Sequence, residues 1–106
     1  MIVKTDVQGF KKITESGSVS LIKFTADWCR YCKLIQPMLN QLSQELENKA
    51  IVAEVDVDEC GELASQYGVM AIPTIIVFKD GKEVKRMVNV TNKAEYIKVV
   101  DELLAQ

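Results

Sequence analysis

The sequence predicts an α/β protein built on a mixed sheet with helices on both faces. Three observations predict it. Short apolar runs rich in strand formers alternate with segments whose apolar residues recur at helical spacing. An Asp-Gly pair, Asp80–Gly81, separates the last two strand-like runs and signals an antiparallel hairpin. The chain of 106 residues fits one domain, residues 1–106, with a core that buries roughly two-thirds of the unfolded surface.

The elements follow in order. A short first strand is expected around Ile2–Lys4. Val7, Phe10 and Ile13 lie at helical spacing behind Asp6, a suitable N-cap. Gly17–Ser18 breaks that helix, and Val19–Thr25 is apolar and short enough for a buried strand. From Cys32 to Lys49, the residues Ile35, Met38, Leu39, Leu42 and Leu46 make one helical stripe. Pro37 should kink it, because proline has no N–H to give. Ile51–Val57 alternates as a strand. A short helix then opens near Asp58 or Glu59, carries Leu63, Ala64 and Tyr67, and closes at Gly68. Thr74–Phe78 is another buried strand, and Glu83–Val90 returns antiparallel to it. Asn92 with Glu95 reads as a capping box. Ile97, Val100 and Leu104 form the inner face of the last helix, flanked by Tyr96 and Leu103. Strands separated by helices imply parallel, right-handed crossovers.

Composition removes several function classes. The chain has no histidine, so it holds neither a Ser-His-Asp triad nor a Cys-His pair. Its net charge of −2 offers no basic surplus for a nucleic acid. No apolar stretch approaches the ~18 residues of a membrane span, and the first residues do not read as a signal peptide. The expected compartment is the reducing cytoplasm, where a close cysteine pair is more often catalytic or metal-binding than structural.

The chemistry concentrates at Trp28–Cys29–Arg30–Tyr31–Cys32–Lys33. The two cysteines follow a buried strand and open a long helix. Amide donors and the helix dipole favour a thiolate there, and the thiolate is the nucleophile. Arg30 adds positive charge. Cys32, one turn further in, is placed to attack a mixed disulfide formed at Cys29. Cys29 is thus the attacking thiol and Cys32 the resolving one. Half a zinc site can look the same, but Cys60 is the only other cysteine and histidine is absent. No metal or other cofactor is expected. A metal or iron–sulfur cluster shared between two chains is a weaker reading.

Several separate motifs resemble the thioredoxin family. Val19–Thr25 leading to Ala26–Asp27–Trp28–Cys29 is similar to its strand before Trp-Cys. Cys32–Lys33 followed by Pro37 resembles its kinked helix. Glu54–Val55–Asp56–Val57–Asp58, Tyr67–Gly68–Val69, Ile72–Pro73–Thr74 and Phe78–Lys79–Asp80–Gly81 resemble its later segments in the same order. The resemblance implies the thioredoxin fold, a five-stranded mixed sheet flanked by four helices, and activity as a protein-disulfide reductase. It also implies that Pro73 is cis beside the cysteines, that Ile72 offers its backbone to an extended substrate, and that Trp28 covers the site. The implied partners are disulfide-containing proteins and an electron-donor reductase, with the chain a monomer. Asp27 is read as capping or solvating its loop.

The departures from the family pattern are specific. Arg30–Tyr31 stands where Gly-Pro is usual, which predicts a more oxidising pair and changes the surface a reductase would meet. Tyr31 before the second cysteine resembles the glutaredoxin motif, making glutathione exchange a minor alternative. Lys23 stands where the family has a buried Asp, and Glu54 where it has a Lys. A buried lysine is costly unless paired, so a Lys23–Glu54 ion pair beneath the cysteines is expected. Glu54 would then serve the proton of Cys32, or Lys23 would lower its pKa. Asn89 replaces a usual glycine and makes the substrate groove more polar. Cys60 is read as a bystander thiol, with a regulatory or intermolecular disulfide as alternative. A fold kept as a binding scaffold is the competing function, and it needs neither Cys29 nor Cys32.

Overall fold

The computed structural model describes residues 2–106. Its elements run β1 (Val3–Lys4), α1 (Val7–Thr14), β2 (Val19–Thr25), α2 (Arg30–Leu34), α3 (Gln36–Glu45), β3 (Ala50–Asp56), α4 (Gly61–Gln66), β4 (Thr74–Lys79), β5 (Lys82–Val88) and α5 (Lys93–Leu104). The sheet order is β1-β3-β2-β4-β5. β1 and β2 run parallel to β3, whereas β4 is antiparallel to both β2 and β5.

The mixed five-stranded sheet agrees with expectation, but one connection does not. β3 and β4 are separated by a helix, yet β4 enters antiparallel to β2. The intervening α4 has only six residues. It is followed by a loop through Gly68 to a cis Ile72–Pro73 bond, and the chain re-enters the sheet at the end where β3 leaves it, since Asp56 pairs with Thr25 and Thr74 with Phe24. The Asp-Gly hairpin forms as read: Asp80 and Gly81 both take positive φ, 54° and 80°. That geometry suits the twist of paired strands.

Burial explains the strand patterns. β2 is the central strand and is buried from Val19 through Phe24. Strand side chains alternate faces, so Leu21, Ile75 and Val77 pack with Leu39, Leu42, Tyr96 and Val100 on one side. Ile22, Phe24, Ile76 and Phe78 pack with Phe10, Val55 and Leu63 on the other. Lys23 falls between Leu21 and Thr25 on the first of these faces.

The helices show three differences from the sequence reading. The long kinked helix is two helices, so the described residues hold five helices in place of the four expected. Pro37 sits at the second position of α3, and Ile35 separates α3 from α2. The first of the two begins at Arg30 rather than Cys32, because Cys29 itself is the N-cap. In α5 the inner face is Tyr96, Val100 and Leu103, all buried, while Leu104 is exposed. These three follow i, i+4, i+7 spacing. Asn92 caps α5 by accepting from Ala94 N at 3.0 Å. Asp6 caps α1 through Gly9 N at 2.8 Å. No described helix is long and apolar enough to cross a membrane.

Candidate active site

Cys29 stands between the end of β2 and the start of α2, so the central strand delivers it to the helix terminus. Its Sγ accepts from Cys32 N at 3.2 Å. The sulfur therefore occupies the place a capping oxygen normally fills. Amide donors at such a terminus stabilise negative charge on sulfur once the pair is reduced. The structure pairs Cys29 and Cys32 as a disulfide with Cα atoms 5.3 Å apart. Cys29 is 5% exposed and Cys32 1% exposed, so the first cysteine is the more accessible of two deeply seated residues. Ala26, Val57 and Ile72 pack around them.

The Ile72–Pro73 loop lies at the same end of the sheet as the cysteine pair, because Thr74 pairs with Phe24, and Ile72 packs against the pair. Ile72 O lies 3.8 Å from Cys29 Sγ, and the Ile72–Pro73 bond is cis. Beside it runs a groove of about 480 Å³ lined by Tyr31, Ile35, Ile72, Pro73, Asn89 and Thr91. Three residues read from the sequence as substrate contacts, Tyr31, Ile72 and Asn89, are thus brought together. Arg30, the fourth, is exposed on the first turn of α2 and does not line this groove. Asn89 takes φ 58°, a left-handed conformation that asparagine tolerates better than most residues. Trp28 is 69% exposed rather than packed. Its Nε1 donates to Asp58 Oδ2 at 2.9 Å, which tethers the indole to the β3–α4 loop. Asp27 is exposed.

The expected Lys23–Glu54 ion pair is not formed. The two residues are register partners on β2 and β3, and both line a cavity of about 360 Å³ below Cys32. The Lys23 ammonium instead turns toward the helices. Nζ donates to Cys32 O at 2.9 Å and to Gln36 Oε1 at 2.7 Å. Two acceptors at close range satisfy a buried donor better than a carboxylate across the strand. Lys23 is 3% exposed. Burial pushes its pKa down, and the charge of Glu54 opposes that shift.

Four participants escaped the sequence reading. Gln36 lies one helical turn beyond Cys32, so i, i+4 spacing was a usable signal. Asp58 reaches Trp28 across thirty positions, and no local pattern announces that contact. Ile35 and Thr91 join the groove only through the tertiary fold. Cys60 is free and buried. Burial pushes its thiol pKa up, and Glu59, Asp6 and Asp56 add to the rise. Such a thiol is less reactive than an ordinary one. Among the described residues, no group of three or more potential ligands could hold a metal ion.

A strand delivering a Cys-x-x-Cys pair to a helix N-terminus, opposite a cis-proline loop, defines a thiol–disulfide oxidoreductase class. The thioredoxin family model matches residues 1–102, and the chain belongs to the thioredoxin family. It is 44% identical to thioredoxin of Staphylococcus aureus over 103 residues, 97% of this chain and 98% of that one. A solved structure of a mutant thioredoxin from Halobacterium salinarum superposes with a TM-score of 0.85 at 32% identity, covering 94% of this chain and 88% of that chain. Thioredoxin from Trypanosoma brucei brucei has a TM-score of 0.88 at 24% identity, covering 100% and 93%, and supports the fold alone. The family and the retained cysteine pair support a disulfide oxidoreductase and do not favour the scaffold reading.

Proposed function

We propose that residues 1–106 act as one domain that reduces disulfides in proteins, with Cys29 attacking and Cys32 resolving. Cys29 thiolate attacks one sulfur of a target disulfide, forming a mixed disulfide and expelling the target's other thiolate. Cys32, as its thiolate, then attacks Cys29 Sγ. The Cys29–Cys32 bond forms, the mixed disulfide breaks, and the second target sulfur leaves as a thiolate. Two electrons pass from the dithiol to the target, and the released thiolates take protons from water. A reductase of the thioredoxin reductase kind returns the two electrons to the oxidised pair.

The observation that carries the assignment of roles is the difference between the two sulfurs. Cys29 caps the helix and is the less buried; Cys32 lies one turn inward. The groove beside them supports binding of an extended segment. The backbone of Ile72 would pair with that segment, while Tyr31 and Asn89 would contact its side chains. Pro73 would shape this wall, and Trp28 would shield the outer edge. We place this activity in the cytoplasm, in a monomer serving electron transport and redox homeostasis.

Insulin reduction driven by dithiothreitol tests the reading. The parent protein should accelerate precipitation of the insulin B chain, and Cys29→Ser should abolish that acceleration. A parent protein no faster than dithiothreitol alone would reject it.

A further inference from the structure

Two charged side chains are buried, Lys23 and Asp56; Asp56 caps the turn after β3 by accepting from Asp58 N and Glu59 N, which leaves Lys23 without a role. Lys23 sits on the central strand, 3% exposed, and its amine is aimed at the active-site turn rather than at water. We propose that Lys23 is a positioning residue whose ammonium, fixed beneath Cys32 by the Cys32 carbonyl and Gln36, holds the resolving cysteine in place and favours its thiolate.

The geometry carries this in three steps. Pro37 has no N–H, so the helical bond to the Lys33 carbonyl is lost at the bend between α2 and α3. Lys23 Nζ bridges that bend. It donates to Cys32 O before it and to Gln36 Oε1 after it, at 2.9 and 2.7 Å. Gln36 is fixed in turn, because its Nε2 donates to Asn40 Oδ1 at 3.1 Å. The amide group of Gln36 is thus oriented with its oxygen toward the lysine.

The bridge ties a cation to the backbone of the resolving residue. A positive charge within a few ångströms stabilises a thiolate over a thiol. The charged groups facing this cavity are Glu54 from β3, Asp27 from the β2–α2 loop and Lys33 from α2. Glu54 helps keep the amine protonated against the burial that lowers its pKa. The proton released by Cys32 leaves through the same cavity to water. Stabilising the thiolate stabilises the reduced dithiol, so the lysine also makes the pair more oxidising.

This inference rests on the resolving role of Cys32, and its test is chosen to be independent of turnover. The Cys32 Cβ chemical shift, followed by NMR against pH in the Cys29→Ser background, reports the Cys32 thiol alone. Adding Lys23→Met should raise its pKa by about one unit or more, the effect of losing a nearby opposite charge. Lys23→Arg should restore most of that shift. In the intact dithiol, measured at a pH where Cys32 is ionised in both proteins, Lys23→Met should move the equilibrium with glutathione about tenfold toward the disulfide, about 30 mV lower in potential. Gln36→Glu provides a second route should Lys23→Met fold poorly. It places a carboxylate on the ammonium, offsets its field at Cys32 and should raise the same pKa. An unchanged Cys32 titration in the folded variants would overturn the proposal and leave Lys23 a structural prop. Loss of insulin reduction in the parent would instead strike at the reading on which it rests.

Discussion

Replacing Tyr96 by phenylalanine is expected to lower stability and loosen one wall of the substrate groove. The tyrosine is fully buried, and its hydroxyl donates to Val90 O at 2.7 Å. Val90 lies between Asn89 and Thr91, both of which line the groove. The ring fills the same space in the variant, so the cost is the hydrogen bond and the carbonyl left behind. Val90 is only half-buried, so water can partly replace the lost donor, and about 1 kcal/mol is expected. For a domain of this size that is roughly 4–8 °C in Tm by calorimetry. The KM for a disulfide peptide should rise, with kcat less affected. The pH dependence gives a second readout. Burial raises the Tyr96 pKa, with Glu95 adding to the rise. Its contribution is therefore whole below the unfolded value of about 10 and falls as pH climbs past it. The stability gap between parent and Tyr96→Phe should narrow above that pH. Tyr67, which is also raised by burial, is common to both proteins and cancels. Equal Tm values, or stability curves that stay parallel into alkali, would refute the reasoning.

Three further outcomes are expected. Arg30→Gly/Tyr31→Pro should lower the reduction potential by about 30 mV, a tenfold change in the equilibrium with glutathione; an unchanged potential would contradict the role given to the dipeptide. Phe10→Ala should cost about 3–5 kcal/mol in urea denaturation. Its ring meets Tyr67 and Phe78 edge-to-face at 5.6 and 5.3 Å, and a cost below about 1 kcal/mol would mean that the site collapses. Asp58→Ala should change the fluorescence of Trp28, the sole tryptophan, by freeing its indole. Stability should shift by less than about 0.5 kcal/mol, since the contact is exposed; unchanged emission would show that the tether is not populated in solution.

What the sequence disclosed, and what it did not, divides by the range of the interaction. Local signals worked. Asp6 and Asn92 cap their helices, Asp80–Gly81 makes the hairpin, and Pro37 marks the break in the long helix. The cysteine pair was visible for the same reason, since three positions of spacing at a strand–helix junction is a local fact. Direction and side-chain choice were not local. The antiparallel entry of β4 depends on how the Gly68–Pro73 loop turns, and apolar pattern carries no strand direction. Lys23 and Glu54 are register neighbours on adjacent strands, as expected. Their expected contact failed because a side chain on Lys23's face can also reach α2 and α3, and the acceptors there are nearer. In α5, the spacing was right and the rotation was off by part of a turn, since Leu103 and Leu104 offer equal hydrophobicity to either choice.

The account turns on unequal roles for two cysteines, and trapping measures that inequality directly. Cys32→Ser, mixed with a disulfide-containing protein, should accumulate a covalent complex through Cys29, because the resolving thiol is gone. Cys29→Ser should accumulate none under the same conditions. Equal trapping by the two variants, or a complex that forms only through Cys32, would contradict the account.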